Sequence, residues 1–212
     1  MKNKNLILIG AGGHTRVSTD IAILNNFKIK GIIDIFFKKK NKREYINSIP
    51  VIGGIDVIES KSQNHSFFIS IGDNKLRKKY FNYLVKRNFN SVNLFHPNSI
   101  ISKNVKFGKN IFIGPGAIVN SNTIIKNNVI INSNSIIEHE VTVSDHVNCS
   151  PGSIVCGRST LNESVFIGAG SVVIENIEIG KNTFVASGSV VNKNFKKNLL
   201  IGGTPSKIIK KL

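Results

Sequence analysis

The sequence predicts two domains of different build. Residues 1–95 read as a small α/β domain with a Rossmann-like parallel sheet, and residues 96–212 as a parallel β-helix with a C-terminal tail. Three observations carry this. Strand-like and helix-like segments alternate up to about residue 95. A glycine-rich GAGGHT (10–15) follows the first strand and opens a helix. From residue 101 onward, an apolar residue recurs at every sixth position without a break.

In the first domain, LILIG (6–10) is a buried-type strand ending in glycine, and TRVSTDIAILNN (15–26) has apolar residues at helical spacing. KIKGIIDI (28–35) is a second strand. PVIGG (50–54) and SFFISIG (66–72) are a third and a fourth, each leading towards a helical stretch. The second of these stretches, NKLRKKYFNYLVKRN (74–88), carries an amphipathic stripe. After His96-Pro97 the rule changes. The series Ile101, Phe107, Ile113, Val119, Ile125, Ile131, Ile137, Val143, Cys149 continues through Val191. Small or β-branched residues such as Ala117, Thr123 and Ser135 stand two positions before it. Neither a helix nor a strand has that period. A parallel β-helix does, with the period-six residue pointing inward and the small residue fitting the corner.

Composition excludes several classes. The chain has 212 residues, 41% of them hydrophobic, and no apolar run reaches the ~20 residues of a membrane helix. The apolar stretch after MKNKN is too short for a signal peptide, so a cytoplasmic protein is expected. The net charge of +17 is spread over the chain, and the accompanying abundance of Asn fits an AT-rich coding sequence better than a nucleic-acid surface. The densest run, FFKKKNKRE (36–44), reads as a solvated loop, although a positive field can attract a polyanionic cofactor or nucleotide-sugar. Cys149 and Cys156 offer neither a disulfide framework nor a zinc spacing and read as small buried hydrophobes.

One titratable cluster interrupts the repeats: NSNSIIEHEVTVSD (132–145). Ile137 is a core position, so Glu138 and His139 follow it at the outer surface. An accessible imidazole can accept a proton near pH 7. Glu138 or Glu140 can supply the carboxylate that fixes its tautomer. The glycine loop suits close ligand approach, and Asp34 ends the second strand where a Rossmann domain reads a ribose. NAD binding is disfavoured because Thr15 replaces the fingerprint's third glycine and the strands are too few for a full dinucleotide fold.

The repeats resemble the left-handed β-helix of the hexapeptide acyltransferases, an exception to the usual right-handed crossover. That resemblance implies triangular coils of about 18 residues, about five of them here, and a homotrimer with active sites between subunits. The whole chain resembles the NeuD/PglD-type bacterial sugar acetyltransferases, on GAGGH (10–14), IID (32–34), ISIGDNKLRKK (69–79), IINSNSIIEHE (130–140) and GGTPSKII (202–209). The resemblance implies acetyl-CoA as co-substrate, His139 as general base and Glu140 as the group that orients it, with no metal. An 18-residue coil places Gly157 over His139, where its amide can stabilise an oxyanion. The same stacking gives a column of Pro151, Ala169 and Ser187, whose last two amides can pair with pantetheine. The resemblance further implies that Asn132 lies near the sugar, and that Gly10, Gly12, Gly13, His14, Asp34 and Gly72 hold the nucleotide-sugar, Asp34 near the base and His14 near the reacting amine.

Two departures matter. Ile35 replaces the second member of an Asp pair, and Asn148 stands where several N-acetyltransferases place a second His against the acetyl group. The expected activity is N-acetylation of a UDP-linked 4-amino-4,6-dideoxy sugar for a bacterial surface glycan, with GDP- or dTDP-linked sugars open. O-acetylation of a sialic-acid-like sugar is the alternative that Asn148 favours. From another class comes a trimeric scaffold or nucleotide-sugar sensor, which has no need of the IEHE triplet.

Overall fold

A computed structural model describes residues 4–38, 44–61 and 64–212, which fall into two compact units divided between Leu94 and Phe95. The first contains β1 (Asn5–Ile9), α1 (Gly13–Leu24), β2 (Lys28–Ile33), β3 (Tyr45–Ile46), β4 (Ile49–Gly53), β5 (Ser66–Ile69) and α2 (Asn74–Lys86). The sheet order is β3-β4-β2-β1-β5. All pairs are parallel except the β3–β4 hairpin, which the sequence does not announce. Its turn residues, Asn47 and Ser48, both have positive φ, the geometry that a tight hairpin's twist requires. Leu6, Ile7, Leu8 and Ile9 are fully buried, which is why β1 reads as a continuous apolar run. Asp73 caps α2 by accepting from the Leu76 amide at 2.8 Å, a contact worth about 1 kcal/mol. The helical stretch expected after β4 is a short 3-10 helix, Ile55–Lys61. Of the basic run 36–44, positions 39–43 lie outside the described residues, and Phe36 and Phe37 beside them are exposed.

The second unit is built from two-residue strands stacked in three parallel sheets. The first runs from Ile100–Ile101 to Val190–Val191, the second from Lys106–Phe107 to Glu178–Ile179. The third passes through Phe112–Ile113 and Phe184–Val185 and ends in the hairpin of Leu199–Gly202 with Lys207–Lys211. Every parallel step between named repeat strands up to Val191 is 18 residues, as in Ile118↔Ile136↔Ile154. This is a left-handed parallel β-helix. Its core is the period-six series, 0% exposed from Ile113 through Val191 except for Ile125 at 1%. Ile101 and Phe107, on the first coil, are half-buried and pack against it.

The corners explain the asparagines. The third residue after a core aliphatic is left-handed: Asn110, Asn122, Asn128, Asn134, Asn176 and Asn182 have φ of 54–61°, and Gly116, Gly152, Gly170 and Gly188 have 64–69°. Asn and Gly tolerate this region, whereas other L-residues lose about 1–2 kcal/mol there. Six of the asparagines of the repeats therefore have a conformational reason for their place. Four other residues occupy such corners, Glu140, His146, Arg158 and Ser164, at φ 59–64°. Cys149 is a core residue, its thiol pushed up to about 12 by burial. Cys156 differs from expectation: it follows the core Val155 on a corner and is only half-buried.

Candidate active site

The residues around His139 come from two successive coils. Ile137 and Val155 pair in register, so the corners 138–140 and 156–158 stack. The His139 side chain is 52% exposed, and its Nδ1 lies 3.1 Å from Glu140 Oε2. The same oxygen accepts from Arg158 Nε at 3.1 Å. The hydrogen bond to His139, and then Arg158, hold the Glu140 carboxyl below its usual range. An ionised carboxylate only accepts, so Nδ1 carries the ring proton and Nε2 is left as the acceptor. Glu138 is not the orienting carboxylate, because its Oε2 accepts from Asn120 Nδ2 at 2.9 Å.

Gly157 lies against the imidazole. A Cβ there would stand 2.7 Å from both His139 Cε1 and Nε2. Close approach, not backbone conformation, therefore demands the glycine. Among the described residues, the backbone ladder gives the amides of Gly157, Ala169 and Ser187 no acceptor, while Gly157 O accepts from Asn176 N at 3.0 Å. A base with a fixed tautomer beside an unused amide can deprotonate a nucleophile and stabilise an oxyanion.

The expected glycine-loop residues converge on one cavity of about 510 Å³ in the first unit. Gly10, Gly12, Gly13, His14, Asp34 and Gly72 all line it. Gly10 has φ +120°, and a Cβ on it would lie 2.8 Å from Ser70 O. Gly12, Gly13 and Gly72 would meet nothing within 4 Å, so they leave room at the mouth of the cavity. Gly12 caps α1 without a side-chain hydrogen bond, and its carbonyl accepts from the Thr15 amide at 3.1 Å. Thr15 is buried, and its hydroxyl donates to Gly10 O at 2.8 Å, a tie that a third glycine cannot make. Asp34 Oδ1 accepts from Phe36 N at 2.9 Å and fixes the turn after β2.

His14 lies in the first turn of α1, half-buried as a residue, with its ring Nε2 enclosed. Burial, and then the charge of Arg77, lower its pKa to about 3, so it is neutral at physiological pH. Arg77 is a buried cation bonded to the cavity-lining Gly72, and the sequence reading passes over it. It is 1% exposed and donates to Gly72 O at 2.9 Å and Asn74 Oδ1 at 2.8 Å, and burial lowers its pKa to about 9. The available signal was its place in the buried stripe of α2 with Tyr80, Phe81 and Leu84.

One chain does not gather every expected residue. His139 and Gly157 lie on the corner between the first and second sheets. Asn132, Ala169 and Ser187 lie on the corner after the third, and Asn148 is buried on the third sheet itself. His146, two residues before Asn148, is buried in a polar ladder: its Nδ1 lies 2.8 Å from Asn128 Nδ2, and Asn128 Oδ1 accepts from Asn110 Nδ2 at 2.9 Å.

Stacked hexads with a titratable corner define a protein of the hexapeptide-repeat, left-handed β-helix class. Residues 5–84 match the PglD N-terminal domain family, and residues 158–193 match the bacterial transferase hexapeptide (six repeats). A histidine-to-asparagine mutant of perosamine N-acetyltransferase from Caulobacter crescentus, solved with CoA and GDP-perosamine, is 27% identical; the match covers 98% of this chain and 97% of that one, with a TM-score of 0.92. The acetyltransferase domain of PglB from Neisseria gonorrhoeae shares the fold at 24% identity, 98% and 100% coverage and a TM-score of 0.89. An uncharacterized protein of Acanthamoeba polyphaga mimivirus is 34% identical over 108 residues, half of this chain; the chain spans about a fifth (20%) of that curated relative's length. These two family matches and the full-length likeness to perosamine N-acetyltransferase bear out the resemblance to the NeuD/PglD-type bacterial sugar acetyltransferases.

Proposed function

We propose that the protein is an acetyl-CoA-dependent N-acetyltransferase acting on a nucleotide-linked 4-amino-4,6-dideoxy sugar in surface glycan synthesis. The observation that carries this is the His139–Glu140 hydrogen bond at 3.1 Å with Gly157 against the ring. His139 Nε2 takes a proton from the attacking amine as the new C–N bond forms at the acetyl carbonyl. The Gly157 amide stabilises the oxyanion, the C–S bond breaks, and the proton passes to the departing thiolate. No metal is required. Glu140 keeps the ring in the tautomer that leaves Nε2 available.

The unused amides of Ala169 and Ser187 support pantetheine binding along their corner, with Asn148 near the acetyl group. The glycine-loop cavity takes the nucleotide-sugar, with Asp34 towards the base and His14 towards the amine. Asn132 serves the sugar. Because His139 and the corner that holds Asn132, Ala169 and Ser187 are different corners of one chain, a second copy is the natural supplier of the missing half, and we assign a homotrimer with inter-subunit sites. The similarity to a GDP-perosamine-bound enzyme supports an amino-sugar acceptor, and makes GDP a rival to UDP as its carrier. The test is acetyl-CoA-dependent thiol release with UDP- and GDP-linked 4-amino-4,6-dideoxy sugars and a sialic acid side by side. Turnover on an amino sugar is expected. Turnover on the sialic acid alone would move the protein to O-acetylation and make Asn148 the informative residue.

A further inference from the structure

The His139 corner contains a charge that the proposed transfer has not yet used. Arg158 stands 18 residues after Glu140, on the coil stacked against it, and its Nε donates to the Oε2 that also faces His139 Nδ1, both at 3.1 Å. Its backbone is tied to the same corner, since Arg158 N donates to His139 O at 3.1 Å. Both Glu140 and Arg158 hold left-handed positions, φ 59° and 60°, that most other corners give to Asn or Gly. A surface pair of long side chains at a conformational disadvantage is not what the fold asks for at this place.

We propose that Arg158 is a positioning residue: it pins Glu140 so that one carboxylate oxygen holds the Nδ1 proton of His139, and its cation offsets the pull of that carboxylate on a second ring proton. The inference rests on the function proposed above, in which His139 must be neutral to act. A lone carboxylate beside an imidazole favours the imidazolium and would withhold the base at neutral pH. Glu140 therefore has two tasks in tension. It must orient the ring without keeping it charged, and Arg158 permits both. The hydrogen bonds that lower the Glu140 pKa agree with this arrangement.

Among the described residues, the charged and titratable groups on the coils around the ring are few. On its own corner are Glu140 and Glu138, the latter engaged by Asn120. On the next coil are Arg158 and Cys156, and on the coil beyond is Glu175, which with Glu138 acts on Cys156. Arg158 is the cation bonded to the orienting carboxylate.

Two nitrogens each 3.1 Å from one oxygen lie at most about 6 Å apart. A unit charge at that distance in a water-like dielectric moves a titration by about half a pH unit. Arg158→Asn suits the left-handed corner and removes the charge, and Arg158→Lys keeps a charge without the fixed Nε donor. The histidine Cε1–Hε1 signals of the free protein are followed by NMR against pH, His139 being assigned with a His139→Gln variant, and the acidic limb of kcat/KM is measured alongside. In Arg158→Asn we expect the His139 midpoint to rise by about half a unit and the acidic limb to rise with it, a loss of about threefold on that limb. Arg158→Lys should fall between Arg158→Asn and the wild type. A His139 midpoint unchanged or lowered in Arg158→Asn overturns the assignment. A wild-type protein that acetylates no sugar overturns the function instead, and the NMR midpoint still decides the part played by Arg158.

Discussion

Adding one methyl group at Gly157 tests the catalytic geometry most directly. The alanine Cβ would sit 2.7 Å from His139 Cε1 and Nε2, whereas carbon atoms pack best at about 3.5–4.0 Å. The ring, not the backbone, must yield, because the imidazole is the half-exposed end of a side chain and the coil is locked by ladder hydrogen bonds. Relief requires a displacement of about 1 Å, and misplacement of a reacting group by that distance costs about a hundredfold in rate. Gly157→Ala should therefore lower kcat for acetyl-CoA-dependent thiol release by about a hundredfold while the melting temperature stays close to the wild type. The measurement is steady-state thiol release at saturating substrates, with thermal unfolding on the same samples. A folded variant with kcat within threefold of wild type would refute the claim that the ring must stand against this backbone.

His139→Ala should reduce kcat by about a hundredfold or more, the usual loss of a general base, with little change in stability because the side chain is half-exposed. His14 should make stability pH-dependent. Its folded pKa of about 3 lies below the unfolded 6.5, so the unfolded chain binds more protons between these values. Stability is then fully retained above pH 6.5 and falls by about 1.4 kcal/mol per unit as pH drops towards 3. Urea unfolding at several pH values should show that slope in the wild type and a flatter one in His14→Asn. Gly10→Ala combines a φ of +120° with a 2.8 Å approach to Ser70 O, and should destabilise the first unit by about 1–3 kcal/mol in the same assay.

The solenoid was legible because its contacts have a constant sequence offset. Once the hexad period is combined with the three-hexad coil that the family resemblance implies, position i meets i+18, and the Gly157–His139 stack follows by counting. Arg158 was within reach by the same count from Glu140, but an exposed arginine gives no signal until its partner is known. The glycine loop and Asp34 were readable for a different reason: tight strand-to-helix turns need particular residues locally.

What the sequence by itself determined, then, is the set of residues whose neighbours lie at a fixed offset or within one turn: the hexad core, the glycine loop, the His139 corner and the glycine above it. Only the tertiary structure decided which glutamate turns to His139, that Arg158 shares its oxygen, and that Arg77 lies buried beside His14 in the first unit. Those choices depend on side-chain rotamers and on contacts across irregular separations, such as the 3.0 Å hydrogen bond between the hydroxyls of Thr15 and Ser70. No periodicity encodes them, because each is settled by the packing of elements whose spacing along the chain is free to vary.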